Sequence, residues 1–134
     1  MVTSHLVYFI FHGAPLRSRI LAAELLAALC VLSLDEGHPS VLASFSEYRL
    51  THNEVFRFQS LVDALKVPNS QLMEQSATIL TEDDGIWEGR IAFMALINAI
   101  TNRPNSLDER IVLRDEFTRR GLNEVIVVRS TLAL

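Results

Sequence analysis

Residues 16–33 read LRSRILAAELLAALCVLS, and this stretch decides the fold. Leu, Ala and Arg dominate it and it lacks Gly and Pro, which predicts a helix over Leu16–Ser33. One apolar stripe runs through Leu16, Ile20, Ala23, Ala27 and Cys30, and a second through Leu21, Leu25, Leu29 and Leu32. Two stripes predict burial on more than one side, as in the middle of a stacked helical array.

Working outward, the segment before it is ambiguous. Met1–Phe11 contains Leu-Val-Tyr-Phe-Ile-Phe, strand-like by propensity but equally suited to the tail of a helix. His12, Gly13, Ala14 and Pro15 then punctuate the chain. On the other side, Asp35, Glu36, Gly37 and Pro39 break it before a short predicted helix over Ser40–Tyr48. Asn53 is placed to cap a helix over Glu54–Lys66, with Phe58, Leu61, Val62 and Leu65 inward. Val67–Ile86 reads as an inserted loop in which Leu72–Leu80 is compatible with a turn or two of helix. Ile86–Asn102 is a second strongly apolar helix, stopped before Pro104. Ser106 and Glu109 have the spacing of a capping box, and the helix they start runs to Arg120 and is closed by Gly121. Asn123–Leu132 is compatible with one more helix, although Val125–Val128 is rich in β-branched residues. The expected fold is all-α, an armadillo-like solenoid fragment of about six helices with residues 1–134 forming one partial domain.

Composition agrees. The chain has 134 residues, 49% hydrophobic and 21% charged, with 20 Leu and 12 Ala but only 5 Gly and 4 Pro. Those proportions argue against disorder and against a proline-rich linker. Twelve basic and sixteen acidic residues give a net charge of −4 without a basic run, which argues against nucleic-acid binding through phosphates. The single cysteine, Cys30, forms no intramolecular disulfide and no multi-cysteine metal site, so it reads as a small buried hydrophobe in a reducing compartment. The runs Leu6–Phe11 and Ile91–Ile100 fall short of the roughly 18 apolar residues that span a bilayer, so a soluble intracellular protein is expected.

Residues with catalytic potential lack the necessary spacing. Neither Gly13 nor Gly37 opens a phosphate loop, and His5, His12, His38 and His52 follow no metal-ligand pattern. Glu82, Asp83, Asp84 and Glu88 lack the alternation of a calcium loop, and no serine stands on an elbow beside a base. No catalytic residue, metal or cofactor is expected. Arg110 and Arg114 share a helix face, suited either to clamping a ligand or to tying helix ends together. Trp87 reads as a packing residue.

Three blocks carry a resemblance. They are Ala22–Leu32, Val55–Leu65, and Leu96–Ile100 continued by Leu107–Phe117 and Gly121-Leu122. Their order and content resemble the FH3 region, the armadillo-like diaphanous inhibitory domain, of diaphanous-related formins, over about residues 14–128. The Arg57-Phe58-Gln59 segment and the helix carrying Arg110, Arg114, Glu116 and Phe117 before Gly121-Leu122 are its most specific parts. The long Val67–Trp87 connection resembles the insertions of fungal formins.

The resemblance implies a regulatory binding module. It implies that a concave helical face holds an amphipathic C-terminal autoregulatory helix, that this contact restrains actin assembly, and that a Rho-family GTPase releases it. It implies a cytoplasmic, cytoskeletal or cortical setting. By the match, most of the N-terminal GTPase-binding segment, the proline-rich FH1 region and the FH2 domain of formins are expected to lie outside these residues, so actin binding is expected only through those other domains and retention of the GTPase contact is left open. By the match, Leu96, Asn98 and Ala99 lie on the helix expected to line the groove, with Leu26 and Cys30 one repeat earlier and His38 just beyond. Two other readings use the same residues: a generic α-solenoid adaptor with an unrelated partner, and a small helical enzyme built on the acidic loop around Asp83.

Overall fold

A computed structural model describes residues 2–12, 15–33, 35–66 and 80–123, with side chains from Trp87 onward in the last span. The described residues are all-α, with six helices and no strand. In chain order they are α1 (Val2–His12), α2 (Leu16–Leu32), α3 (Gly37–Thr51), α4 (Gln59–Lys66), α5 (Leu80–Asn102) and α6 (Leu107–Arg119).

The ambiguous N-terminal segment is helix. Val7 and Ile10, one turn apart, are both fully buried, so its apolar residues serve a helical stripe rather than a strand face. Arg19 of α2 joins the two helices by donating from Nε to the Ile10 carbonyl of α1 at 2.5 Å. Helices α2 and α5 then pack side by side in the same direction. Near the start of α2 and midway along α5, a Cβ on Gly89 would lie 3.6 Å from Leu16 Cδ1 and 3.8 Å from Ile20 Cγ1. At their C-terminal ends the connection is crossed. His38, which follows α2, donates from Nε2 to the Ile100 carbonyl of α5 at 2.8 Å. Arg103, which follows α5, donates from Nη2 to the Val31 carbonyl of α2 at 3.2 Å. Two parallel helices separated by α3 and α4 are what successive layers of a helical array require.

The core runs beneath this pair. Leu26 and Cys30 of α2, Val41 and Phe45 of α3, Leu61 and Val62 of α4, Leu96 and Ile100 of α5, and Phe117 of α6 are buried together. Phe58 links the later helices, its ring 5.1 Å from Phe45 and stacked 4.5 Å from Phe117. Above it the Arg57 guanidinium donates to both carboxylate oxygens of Glu116 and to Ser46 Oγ.

Several boundaries differ from the expectation, each for a local reason. Helix α3 starts at Gly37 and so includes Pro39 in its first turn, where a missing N–H breaks no helical bond. Gly37 is required there by space: a Cβ would sit 2.2 Å from the Leu29 carbonyl oxygen. Asn53 does not start a helix. It ends α3 in the left-handed conformation with φ 54°, and the Glu54 N–H reaches the Arg49 carbonyl at 2.9 Å. This is the bonding of a Schellman motif, and Asn tolerates its left-handed position better than most residues. Consequently α4 begins only at Gln59. Ser106 does cap α6, its Oγ accepting from the Glu109 N–H at 3.4 Å, and Gly121 closes the segment with φ 96°.

Helix α5 begins at Leu80, so the acidic run Glu82-Asp83-Asp84 falls within its first turns rather than in a loop. The rest of the expected insertion, with most of Leu72–Leu80, and the suggested helix at Asn123–Leu132 lie outside the described residues apart from Asn123. The second stripe of α2 is corrected. Leu29 is partly buried against the core, but Leu21 is 53%, Leu25 54% and Leu32 82% exposed, because α1, α3 and α5 pack around the other stripe.

Candidate functional site

The six residues expected to line a groove divide into two groups. Leu26, Cys30 and Leu96 are fully buried, and Ala99 is 8% exposed; all four belong to the core. His38 is buried and spent on the Ile100 carbonyl. These five therefore form the joint between α2, α3 and α5 under the surface. Burial also governs the Cys30 chemistry: desolvation pushes its thiol up to about 11, against the opposing pull of the Arg103 charge. A thiol so protonated is a packing group rather than a nucleophile.

Asn98 alone reaches the surface, and it continues an exposed stripe that the sequence reading missed. Trp87 is 50% and Ile91 56% exposed, and Ala95, Asn98 and Asn102 are exposed with them. Spacings of four, four, three and four residues set these side chains along one face of α5. The run Ile91–Ile100 is so apolar that it hides this face. The available signal was Asn98 and Asn102, two amides one turn apart in an otherwise apolar helix.

Beside the stripe, α5 and α6 enclose a cleft of about 230 Å³. Met94, Ile97, Phe117 and Leu122 give it apolar walls, and Asn98, Thr101, Asn102, Arg114, Thr118 and Asn123 give it polar ones. Thr101 is self-satisfied, its hydroxyl donating to the Ile97 carbonyl at 2.9 Å. Arg114 is held by its Nη2–H on Asn102 Oδ1 at 2.5 Å. The two arginines expected to share a face thus take the helix-end role in different ways. Arg110 donates to the Pro104 and Asn105 carbonyls at 2.6 and 3.0 Å, tying down the α5–α6 turn.

The charges around this turn are distinctive. The ion pairs among the described residues are Arg57–Glu116, Lys66–Asp63 and Arg119–Asp115. Arg103, Arg110 and Arg114 meet neutral oxygens instead. What the arrangement offers chemically is an apolar recess, amides and a guanidinium, a set suited to recognition of another polypeptide. Among the described residues no group of three or more His, Cys, Asp or Glu is placed to hold a metal ion. Nor is any described helix long and apolar enough to cross a membrane.

Comparison with known proteins agrees with this geometry. Residues 38–132 match the family described as Diaphanous FH3 Domain. Formin-F of Dictyostelium discoideum is 37% identical over 110 residues, covering 81% of this chain and 8% of that protein. Formin-D of the same organism is 32% identical over 122 residues, covering 91% of this chain and 9% of the relative. Human Formin-like protein 3 is 29% identical over 110 residues, covering 82% and 9%. The chain spans less than a tenth of the length of these curated relatives. With a helical array, two parallel layers and a family match over most of its length, the chain belongs to the diaphanous FH3 family, a regulatory domain of formins.

Proposed function

We propose that this FH3 domain binds an amphipathic helix, the C-terminal autoregulatory helix of a formin, and through it restrains actin filament assembly. A Rho-family GTPase acting on the same protein would relieve that restraint, and the setting would be cytoplasmic, at the cytoskeleton or cell cortex. Actin assembly itself belongs to other parts of a formin. The observation that carries the reading is the exposed face of α5, where Trp87, Ile91, Ala95 and Asn98 run beside an open cleft. An apolar stripe interrupted by an amide is the surface that helix-in-groove recognition uses. Leu26, Cys30, His38, Leu96 and Ala99 enter as its support: they fix α2 and α5 relative to each other and so fix the face.

The test is titration of a labelled formin C-terminal peptide into the chain and into Ile91→Glu. Ile91 is exposed, so the variant keeps its helical circular dichroism, and affinity is expected to fall at least tenfold. Equal affinity for the two proteins, or no binding to either, overturns the reading. Ala99→Asp is the weaker probe, because a carboxylate at that buried position disturbs the core as well.

A further inference from the structure

We infer that the turn between α3 and α4 docks on an anionic membrane surface, setting Val55 and Phe56 into the bilayer interface beside Arg49 and Arg120. The inference uses no residue of the α5 face and does not rest on the helix-binding reading.

The backbone supplies the first observation. The turn covers residues 52–58 and contains two left-handed residues, Asn53 with φ 54° and Phe58 with φ 69°. Asn adopts that conformation readily, whereas a bulky aromatic residue holds it only where its surroundings impose it. Here the Phe58 ring is buried, 5.1 Å from Phe45 and stacked 4.5 Å from Phe117. With Phe58 anchored inward, Val55 and Phe56 are left 70% and 46% exposed, and Leu50 on the last turn of α3 is 73% exposed. A strained turn that keeps apolar side chains in water presents them to something outside the chain.

Charge names that partner. The Arg120 guanidinium carbon lies 3.4 Å from the Phe56 ring centroid, and Arg49 donates from Nε to the Glu54 carbonyl at 3.3 Å. The carboxylates of this region are engaged elsewhere: Glu54 accepts from Ser60, Asp63 from Gln59 and Glu116 from Arg57. Among the described residues no carboxylate pairs with Arg49 or Arg120. Two uncompensated guanidinium groups therefore accompany the exposed apolar side chains, in a chain whose net charge is −4. Aromatic rings settle at headgroup depth in a bilayer, and cations meet anionic headgroups at the same level. A deformable interface closes around side chains that stand out on a turn, whereas a protein partner would need a matching hollow.

The experiment is sedimentation of the unmodified chain with vesicles of phosphatidylcholine alone and of phosphatidylcholine with about a third phosphatidylserine. Binding is expected to the second kind only, and to weaken as salt is raised. Val55→Glu is expected to lower it at least tenfold and Arg49→Gln about fivefold, with helical circular dichroism unchanged because both side chains are exposed. Leu25→Gln, on the bared stripe of α2, is expected to bind as the parent does, which separates this turn from general apolar adhesion. In Trp87→Phe, Phe56→Trp, the single tryptophan should shift its emission to the blue on the anionic vesicles. No binding to those vesicles, equal binding to both kinds, or parental binding by Val55→Glu overturns the inference. Binding of a polyglutamate peptide without binding to vesicles would assign the turn to an acidic protein and overturn it as well.

Discussion

Arg57 and Glu116 lie 59 residues apart in the chain, yet their side chains meet in a two-pronged contact of 2.6 and 3.1 Å. The pair ties the turn before α4 to α6, with the Arg57 guanidinium over the Phe58 ring that stacks on Phe117.

Both side chains are about three-quarters buried, with 25% and 29% exposed. Glu116→Gln should therefore cost about 1–2 kcal/mol, above the usual value for exposed pairs and below that for a buried charge. Arg57→Ala should cost somewhat more, since it also removes the bond to Ser46 and the packing on Phe58. Chemical denaturation of the two single variants and the double variant checks this. Additive losses would show that the two residues are not coupled.

Gly37 and Gly89 should respond oppositely to alanine. A Cβ on Gly37 would lie 2.2 Å from Leu29 O and 2.9 Å from Leu29 C, both backbone atoms, so Gly37→Ala forces α2 and α3 apart. About 2–3 kcal/mol of destabilisation is expected. A Cβ on Gly89 would make ordinary contacts of 3.6–3.9 Å with Leu16 and Ile20. Gly89→Ala, inside a helix, should stabilise by about 0.5–1 kcal/mol. Thermal melts of both variants measure the two signs.

The Cys30 thiol keeps its proton in the folded chain up to about pH 11, whereas its ordinary value is 9.0. The unfolded chain thus releases this proton first, and folded stability falls as pH rises from 9 towards 11. The loss attributable to Cys30 is at most about 3 kcal/mol. Comparison with Cys30→Ala isolates it. Tyr48, whose hydroxyl burial also raises, remains in both proteins and cancels. A variant whose stability falls as steeply over that range would refute the assignment.

The bared stripe of α2 predicts association. Leu21, Leu25 and Leu32 are exposed on one helix, a concentration of apolar surface that promotes self-contact. The double variant Leu21→Gln, Leu25→Gln should sediment as a smaller species at high concentration. Its melting free energy should stay within about 0.5 kcal/mol of the parent, because neither side chain is in the core. A drop well beyond that would place these leucines in packing after all.

The helices themselves were legible because their signals are local. Leu16–Leu32 has no competitor to helix, and the Ser106–Glu109 box and Gly121 marked both ends of α6. Asn53 was misread for a physical reason: one residue type serves either end of a helix, and only the Glu54–Arg49 bond decides which. The candidate site was half legible. Asn98 stood out as an amide in an apolar run, but which of its neighbours face water depends on where α2 and α6 pack. The two α2 stripes looked alike for the same reason, since apolarity shows what a face prefers and not what covers it.

The crossed bonds of His38 and Arg103 have a consequence for register. Each of the two helices α2 and α5 gives a carbonyl to a side chain that follows the other, so their axial position is fixed twice at the same end. A slip of either helix by one residue, a rise of about 1.5 Å, would break both bonds together.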